Sequence, residues 1–517
     1  MRTGEGKWQE ILRGKPDSRL VAFLAVGILL VLLIPLLRLS FYTLPWYDDY
    51  SYGKFVKGFL DQERTWESAL EGAVYGTKVQ WYAWQGTFSS IFFMCLMPGV
   101  WGEEFYFLGP FFLILILPFS VWILGRVMLR DVLKADNSIA VIISSIAAAV
   151  CVVMIHSPGT GFFWYNGGIH YVGMHSFLLL LAAGWMKLLI GGGRIASAGL
   201  ILWTMIGAVL AGGANYVTAL QGAILAISLT GMGILLRRKR VLLLLPSIGV
   251  YAFGFYKNII APGNSVRTSV LSDMGRGMGA LASIGNSFLE AFLHLGEFTG
   301  PMTLAVLLLL APMIRRMAAK CSFNFRYPGL LLLWSACLYA AGFTPGLYTL
   351  GFDIPDRTVN AVKLTYQILL FVNEVYWLGW LCRKMEGIRQ ITVLGWTWEK
   401  KPDSGKTGEM PSFLFFLAVG LGMLCLFAME PDREALYSSY GAYRDIRSGE
   451  AYNFYQECRK RIVRLKGDEY DIVFQPYQWT DTLLYQGDLS EEPWEFSNYV
   501  MAEWYGKGSV RLERKSE

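Results

Sequence analysis

The segment 19–41 contains LVAFLAVGILLVLLIPLL, an apolar run of the length a helix needs to cross the hydrocarbon core of a bilayer, about 20 residues. Comparable runs recur near 105–125, 138–155, 170–190, 196–213, 215–236, 241–257, 300–314, 328–349, 361–382 and 411–428. The core of one soluble chain cannot hide so many. The sequence therefore reads as an all-α polytopic membrane protein with about eleven transmembrane helices. Composition agrees, since charged residues make up 17% of the chain against about a quarter in soluble domains. The net charge of +6 is explained by basic anchors at one membrane face, so no nucleic-acid partner is expected.

The segment 74–98, VYGTKVQWYAWQGTFSSIFFMCLMP, decides the orientation, because counting it as a span reverses everything downstream. Left out, the connections 1–19, 126–137, 187–194, 237–240, 315–326 and 383–406 fall on one side and hold most of the loop Lys and Arg. The longer connections 43–104, 156–169, 256–299 and 350–363 hold few. Positive charge on short loops marks the cytoplasm, so the N-terminus is expected inside and the C-terminus outside. The segment 74–98 then lies at the outer surface, with Trp81 and Trp84 suited to an interface. The expected organisation is a transmembrane domain over 1–428, with a large first outer loop at 43–104 holding two surface helices, around 50–70 and over 74–98. A small extracytoplasmic α/β domain follows at 429–517, with a helix in AYNFYQECRKRIVRLK and a strand in YDIVFQPY.

The seven cysteines form no disulfide framework, because all but Cys321 and Cys458 lie in apolar runs. Zinc-binding spacings are missing. The segment 19–41 is too long for a signal-peptide core and reads as a retained helix. The SGKT at 404–407 lacks the glycine a phosphate loop needs at Lys400, and 396–410 reads as a solvated linker.

The remaining polar and aromatic clusters fall outside. TLPWYDDYSYG puts Asp48 and Asp49 side by side just after the first apolar run. They read either as solvated charges capping a helix that starts near Tyr50, or as a general base with a partner that orients it or holds a cation. In PGNSVR at 262–267, Pro262 and Gly263 suggest a tight turn closed by Asn264. Arg267 then either grips a phosphate or carboxylate, or snorkels. Arg357 in DIPDRTVN has Asp353 and Asp356 beside it, which favours a structural ion pair. Trp164, Tyr165, Asn166 and His170 in GFFWYNGGIHY have the composition of a sugar site, although a membrane histidine is often only hydrogen-bonded between helices. His156 and His294 are weaker candidates. A divalent metal on Asp48, Asp49 and His170 stays open, since sequence spacing does not decide it.

An acidic DD after the first helix, surface helices in the first loop and an outer C-terminal domain resemble the GT-C class of membrane glycosyltransferases. More narrowly, PWYDDYSYG, WYAWQGTFSS, APGNSVR and WEFSNYVMAEWYGKGSV resemble an uncharacterised bacterial GT-C-like family over nearly the whole chain. The resemblance implies transfer of a sugar from a polyprenyl-phosphate carrier in the membrane lipid to a lipid, glycan or protein acceptor on the outer face. It puts Asp48 or Asp49 in the base role. It makes Arg267 the phosphate contact, with Asn264, Lys78 and Arg357 as further donor-side residues. Trp81, Trp84, Gln85, Trp164, Tyr165, Asn166 and His170 are the candidates on the sugar and acceptor side. At one position the chain departs from the family: Thr87 follows Gly86 where an arginine is common, so Lys78 or Arg267 is expected to replace it.

Other classes make different demands. A transporter or flippase of lipid-linked glycans calls for ionisable residues buried mid-span and for broken helices, and the apolar runs look clean of both. A non-catalytic scaffold for surface-polymer assembly would use the aspartates only as caps. A glycan polymerase would share the transferase chemistry.

Overall fold

A computed structural model describes residues 14–191, 194–271, 277–352, 354–385, 390–393, 396–399 and 411–513. Asp353 and most of the 396–410 linker lie outside them. The chain is mostly helical. Seven helical segments are long and apolar enough to cross a membrane: Ser18–Tyr42, Glu103–Val132, Tyr165–Ile190, Tyr216–Leu235, Lys239–Ile259, Pro301–Lys320 and Pro328–Leu350. Shorter apolar helices include Asn137–Val153, Ala280–Leu293 and Phe413–Met429.

Helix α1 (Ser18–Leu39) starts where the Asp17 carboxylate accepts the Arg19 N–H at 3.0 Å, and it presents Phe23, Leu24, Ile28 and Val31 outward. The first loop holds three helices, where the sequence suggested two. Helix α2 (Asp48–Leu60) ends before the polar stretch at 61–65. Helix α3 (Trp66–Ala83) begins at the Thr65 cap, whose hydroxyl accepts the Ser68 N–H at 3.1 Å. The chain then breaks at 84–87 before α4 (Phe88–Cys95), so 74–98 is not one helix.

Helices α5 (Leu108–Arg126) and α6 (Asn137–Val153) pack closely against each other and on α1. The stretch read as an outer loop at 156–169 is largely helical. A π-turn at Gly159–Phe163 leads into α7 (Tyr165–Ile190), itself interrupted by a π-turn at Ile169–Gly173. Next come α8 (Arg194–Gly212), α9 (Tyr216–Leu235) and α10 (Leu245–Ile259). The PGNSVR stretch is not a tight turn but opens α11 (Pro262–Leu271), with proline at the first position, where its missing N–H costs nothing. Helices α12 (Ala280–Leu293), α13 (Leu295–Thr299) and α14 (Pro301–Lys320) lead to α15 (Pro328–Ala340) and α16 (Thr344–Leu350).

Helix α17 (Asp356–Met385) has 30 residues and lies inside the bundle, where Lys363, Thr365 and Gln367 are buried. Thr365 donates to Gln221 at 2.9 Å and lies 3.3 Å from His175. The interior is therefore less purely apolar than the runs suggested. The reason is geometric: α17 meets protein on most sides, so polar groups find partners there.

Beyond an antiparallel pair, β1 (Gln390–Val393) with β2 (Trp396–Glu399), helix α18 (Phe413–Met429) leads to the C-terminal region. That region holds α19 (Ser438–Ser448), α20 (Glu450–Lys466) and a parallel pair, β3 (Asp471–Phe474) with β4 (Ser509–Leu512), connected through α21 (Phe496–Tyr505). Its core of Leu465, Ile472, Phe474, Val500 and Val510 takes in Tyr50 from α2. Ser438 also donates to the Val152 carbonyl at 2.9 Å. The region is thus knit into the first loop.

Candidate active site

The two aspartates have opposite settings. Asp49 is fully buried. Its Oδ2 accepts the Trp46 N–H at 2.8 Å and the Tyr106 hydroxyl at 2.6 Å, and its Oδ1 accepts the Asn166 N–H at 3.0 Å. The Tyr106 oxygen in turn accepts the Tyr165 N–H at 2.9 Å. One carboxylate thus ties the loop before α2 to α5 and to the start of α7. Burial pushes its pKa up to about 7, against the pull of the three hydrogen bonds. The bond back to Trp46 lies just ahead of α2, which starts at Asp48 with Tyr47 at its cap and no capping side chain, so neither aspartate caps the helix as expected.

Asp48, the first residue of α2, is half-buried and makes no hydrogen bond through its carboxylate among the described residues. Burial raises its pKa, while Arg357 and Arg267 lower it. These two guanidiniums come from distant parts of the chain, and each lies against an indole. Arg267 donates to the Gln85 side-chain oxygen, with its guanidinium 5.8 Å from the Trp84 ring centre. Gln85 donates to the Tyr52 hydroxyl at 3.3 Å, one turn along α2 from Asp48. Arg357 sits 5.6 Å over Trp164. Of the two carboxylates expected to pair with it, Asp356 faces His156 at 3.3 Å, and Asp353 lies outside the described residues.

The loop 84–87 and the start of α11 hold each other. Asn264 Oδ1 accepts the Gly86 N–H at 2.9 Å and the Tyr216 hydroxyl at 2.7 Å, while its Nδ2 donates to the carbonyls of Asn258 and Ile259 at 2.9 and 3.0 Å. A Cβ on Gly86 would collide with the Asn258 carbonyl, and one on Gly263 would press on the Trp84 and Gln85 nitrogens. Asn264 is therefore a brace that delivers Arg267, with its own polar atoms engaged.

Beside the Asp48–arginine group lie buried polar atoms without a hydrogen-bond partner among the described residues: Trp164 Nε1, both side-chain heteroatoms of Asn166, and His170 Nδ1. Thr87 Oγ1, two residues from Gln85, is another. Arg267 and Arg357 both act electrostatically on His170 as well as on Asp48, which puts these groups in one neighbourhood. Such orphans are uncommon in native interiors, and a polar ligand is one thing that satisfies them.

Other sequence candidates fall elsewhere. Tyr165 donates to the Phe93 carbonyl at 3.1 Å and packs on Gly109, a structural role. Trp81 donates to the Lys257 carbonyl at 3.1 Å, with the Lys257 ammonium 4.9 Å over its ring. Lys78 is exposed on α3, and Arg267 is the basic group that reaches the Thr87 neighbourhood. Tyr106 and Tyr52 were missed as members of the site. Tyr106 opens an aromatic-rich span and looks like an interface anchor until its hydroxyl is placed.

For a divalent ion the donor set is poor. The oxygens of Asp49 are taken by three donors, two arginines act on Asp48 and His170, and among the described residues no three His, Cys, Asp or Glu side chains form a group able to hold a metal ion. Comparison with protein-family models, with curated proteins and with solved structures gives no match.

Proposed function

We propose that the protein is a GT-C-like glycosyltransferase, moving a sugar from a polyprenyl-phosphate carrier to a lipid, glycan or protein acceptor on the outer face of a bacterial plasma membrane. The observation that carries the reading is Asp48: a carboxylate without hydrogen bonds, under the charge of Arg267 and Arg357, beside the unpartnered polar atoms of Trp164, Asn166 and His170. Asp48 takes the proton of an acceptor hydroxyl as that oxygen attacks the anomeric carbon. The bond from that carbon to the phosphate oxygen breaks, and the leaving phosphate keeps the electron pair, its charge met by the two guanidiniums. Asp49 does not touch the reactants; it orients the start of α2. Counting α6, α8, α17 and α18 with the seven long segments brings the spans to eleven, with the N-terminus cytoplasmic and the C-terminus outside.

The test is the surface-glycan profile, by mass spectrometry, of cells carrying wild type, Asp48→Asn, Asp49→Asn or a deletion at matched protein level. Loss of the same sugar in Asp48→Asn and in the deletion supports the reading. A wild-type profile in Asp48→Asn, with a changed one in the deletion, overturns it. The buried Lys363 and the His175–Thr365–Gln221 contacts favour a second reading, a transporter of lipid-linked glycans, which the same outcome would bring forward.

A further inference from the structure

Lys363 stands about two turns into α17 with 6% of its surface exposed, and its ammonium makes no ion pair or hydrogen bond among the described residues. Glu297 on α13 acts on it electrostatically, but the short contact of that carboxylate is with His156 Nδ1, at 3.3 Å. An ammonium carries three N–H donors, and burying it without an anion or acceptors is costly. What Lys363 meets instead is the Phe298 ring, whose centre lies 5.5 Å away. Tyr339 on α15 adds a second open donor: it is 5% exposed, and its hydroxyl has no partner among the described residues. Its ring centre lies 6.3 Å from that of Phe298, and Glu297 acts on it as on Lys363, which puts the ammonium, the hydroxyl and the carboxylate in one neighbourhood. The group is not the one around Asp48. Lys363 is six residues from Arg357, roughly 120° round the helix, and Arg357 lies over Trp164.

We propose that Lys363, Tyr339 and Glu297 bind the zwitterionic headgroup of a phospholipid, with the phosphodiester on the first two and the headgroup ammonium on the third. A phosphate oxygen accepts from both the Lys363 ammonium and the Tyr339 hydroxyl, supplying what each lacks. The half-exposed Glu297 then faces the positive end of the headgroup, so a cation and an anion of the protein meet an anion and a cation of the ligand. A phosphodiester brings one negative charge, which a lone ammonium beside a carboxylate offsets; a free phosphate brings more. The acyl chains have a place as well. Helix α12, whose capping His294 has its ring centre 5.3 Å from that of Phe298, leaves Leu281, Phe288, Phe292 and Leu293 exposed. The site is independent of the role given to Asp48.

The test titrates the full-length protein in detergent with dihexanoyl phosphatidylethanolamine and counts bound lipid by native mass spectrometry. Lys363→Met, close to lysine in length and without the charge, should bind the lipid about tenfold to a hundredfold more weakly, as for loss of a charged contact. Tyr339→Phe keeps the ring, guards against a folding defect in the first variant, and should weaken binding about twofold to tenfold. Unchanged binding in either variant overturns the site. Glycerophosphoethanolamine, the same headgroup without chains, should bind about tenfold more weakly than the lipid or worse. Equal binding makes the ligand a soluble phosphodiester and overturns the lipid assignment. Glu297→Gln should lose the preference for phosphatidylethanolamine over phosphatidylglycerol, and a preference that survives overturns the ammonium contact. Arg357→Ala should bind the lipid as wild type does, so the reading of Asp48 and its arginines can fail without touching this one. A loss equal to that of Lys363→Met would merge the two sites and overturn the proposal.

Discussion

Replacing Asp49 by asparagine should change stability with a sign that depends on pH. In the folded protein this carboxyl titrates at about 7, against 3.8 as the ordinary value, because burial outweighs its three hydrogen bonds. Below the ordinary range both folded and unfolded chains hold the proton, and ionisation costs nothing. As pH rises toward about 7, folding must take up a proton or bury a charge; stability is lost across this window, by on the order of 4 kcal/mol once pH passes about 7. Asparagine has no such cost. It does lose one bond, since its amide nitrogen must face either Asn166 N–H or the Trp46 and Tyr106 donors, worth about 1.5–3 kcal/mol. Near about pH 4 the variant should therefore be less stable than wild type by roughly 2 kcal/mol, and near about pH 8 more stable by a similar amount. Chemical unfolding of the purified protein in detergent at both pH values, followed by tryptophan fluorescence, measures the difference. If Asp49→Asn costs more at high pH than at low, the carboxylate is buried as a stabilised anion, and its assignment as a proton-holding bracket is wrong.

Other substitutions separate the parts of the site. Asp48→Asn should abolish sugar transfer without destabilising the fold at neutral pH, because burial already penalises this charge and its carboxylate makes no hydrogen bond among the described residues; an equal loss of stability and activity would contradict this. Tyr106→Phe removes a donor to Asp49 and an acceptor for Tyr165 N–H, and should cost about 1–3 kcal/mol in the same unfolding assay. Arg267→Ala should raise KM for a lipid-phosphate donor by roughly tenfold to a hundredfold while the protein stays folded, as for loss of a charged contact; an unchanged KM would remove Arg267 from the donor site. Gly86→Ala forces a Cβ onto the Asn258 carbonyl and should lower the yield of folded protein, read by size-exclusion chromatography.

The apolar runs were legible because a bilayer imposes a length on any helix that crosses it. Which aspartate is free was not legible. The two are adjacent in sequence, and their difference depends on Tyr106 and Asn166 arriving from α5 and α7. The PGNSVR stretch has the residues of a tight turn, yet the same proline suits a first helical position, and contact with 84–87 makes that choice. Arg357 was read toward Asp353 and Asp356; it lies over Trp164, and Asp356 faces His156, both brought by the 156–164 segment, while Asp353 is outside the described residues. Local chemistry was readable; pairing across distant segments was not.

The insertion of Tyr50 among Leu465, Ile472, Val500 and Val510 has a consequence for the order of events during synthesis. The aspartates are made well before the residues that surround their neighbour on α2. Until those are made, Tyr50 has no partner core. A chain cut short after residue 428 would carry both aspartates and lack the core that Tyr50 enters. The setting of α2 beside the aspartates thus depends on a part of the chain more than four hundred residues further on.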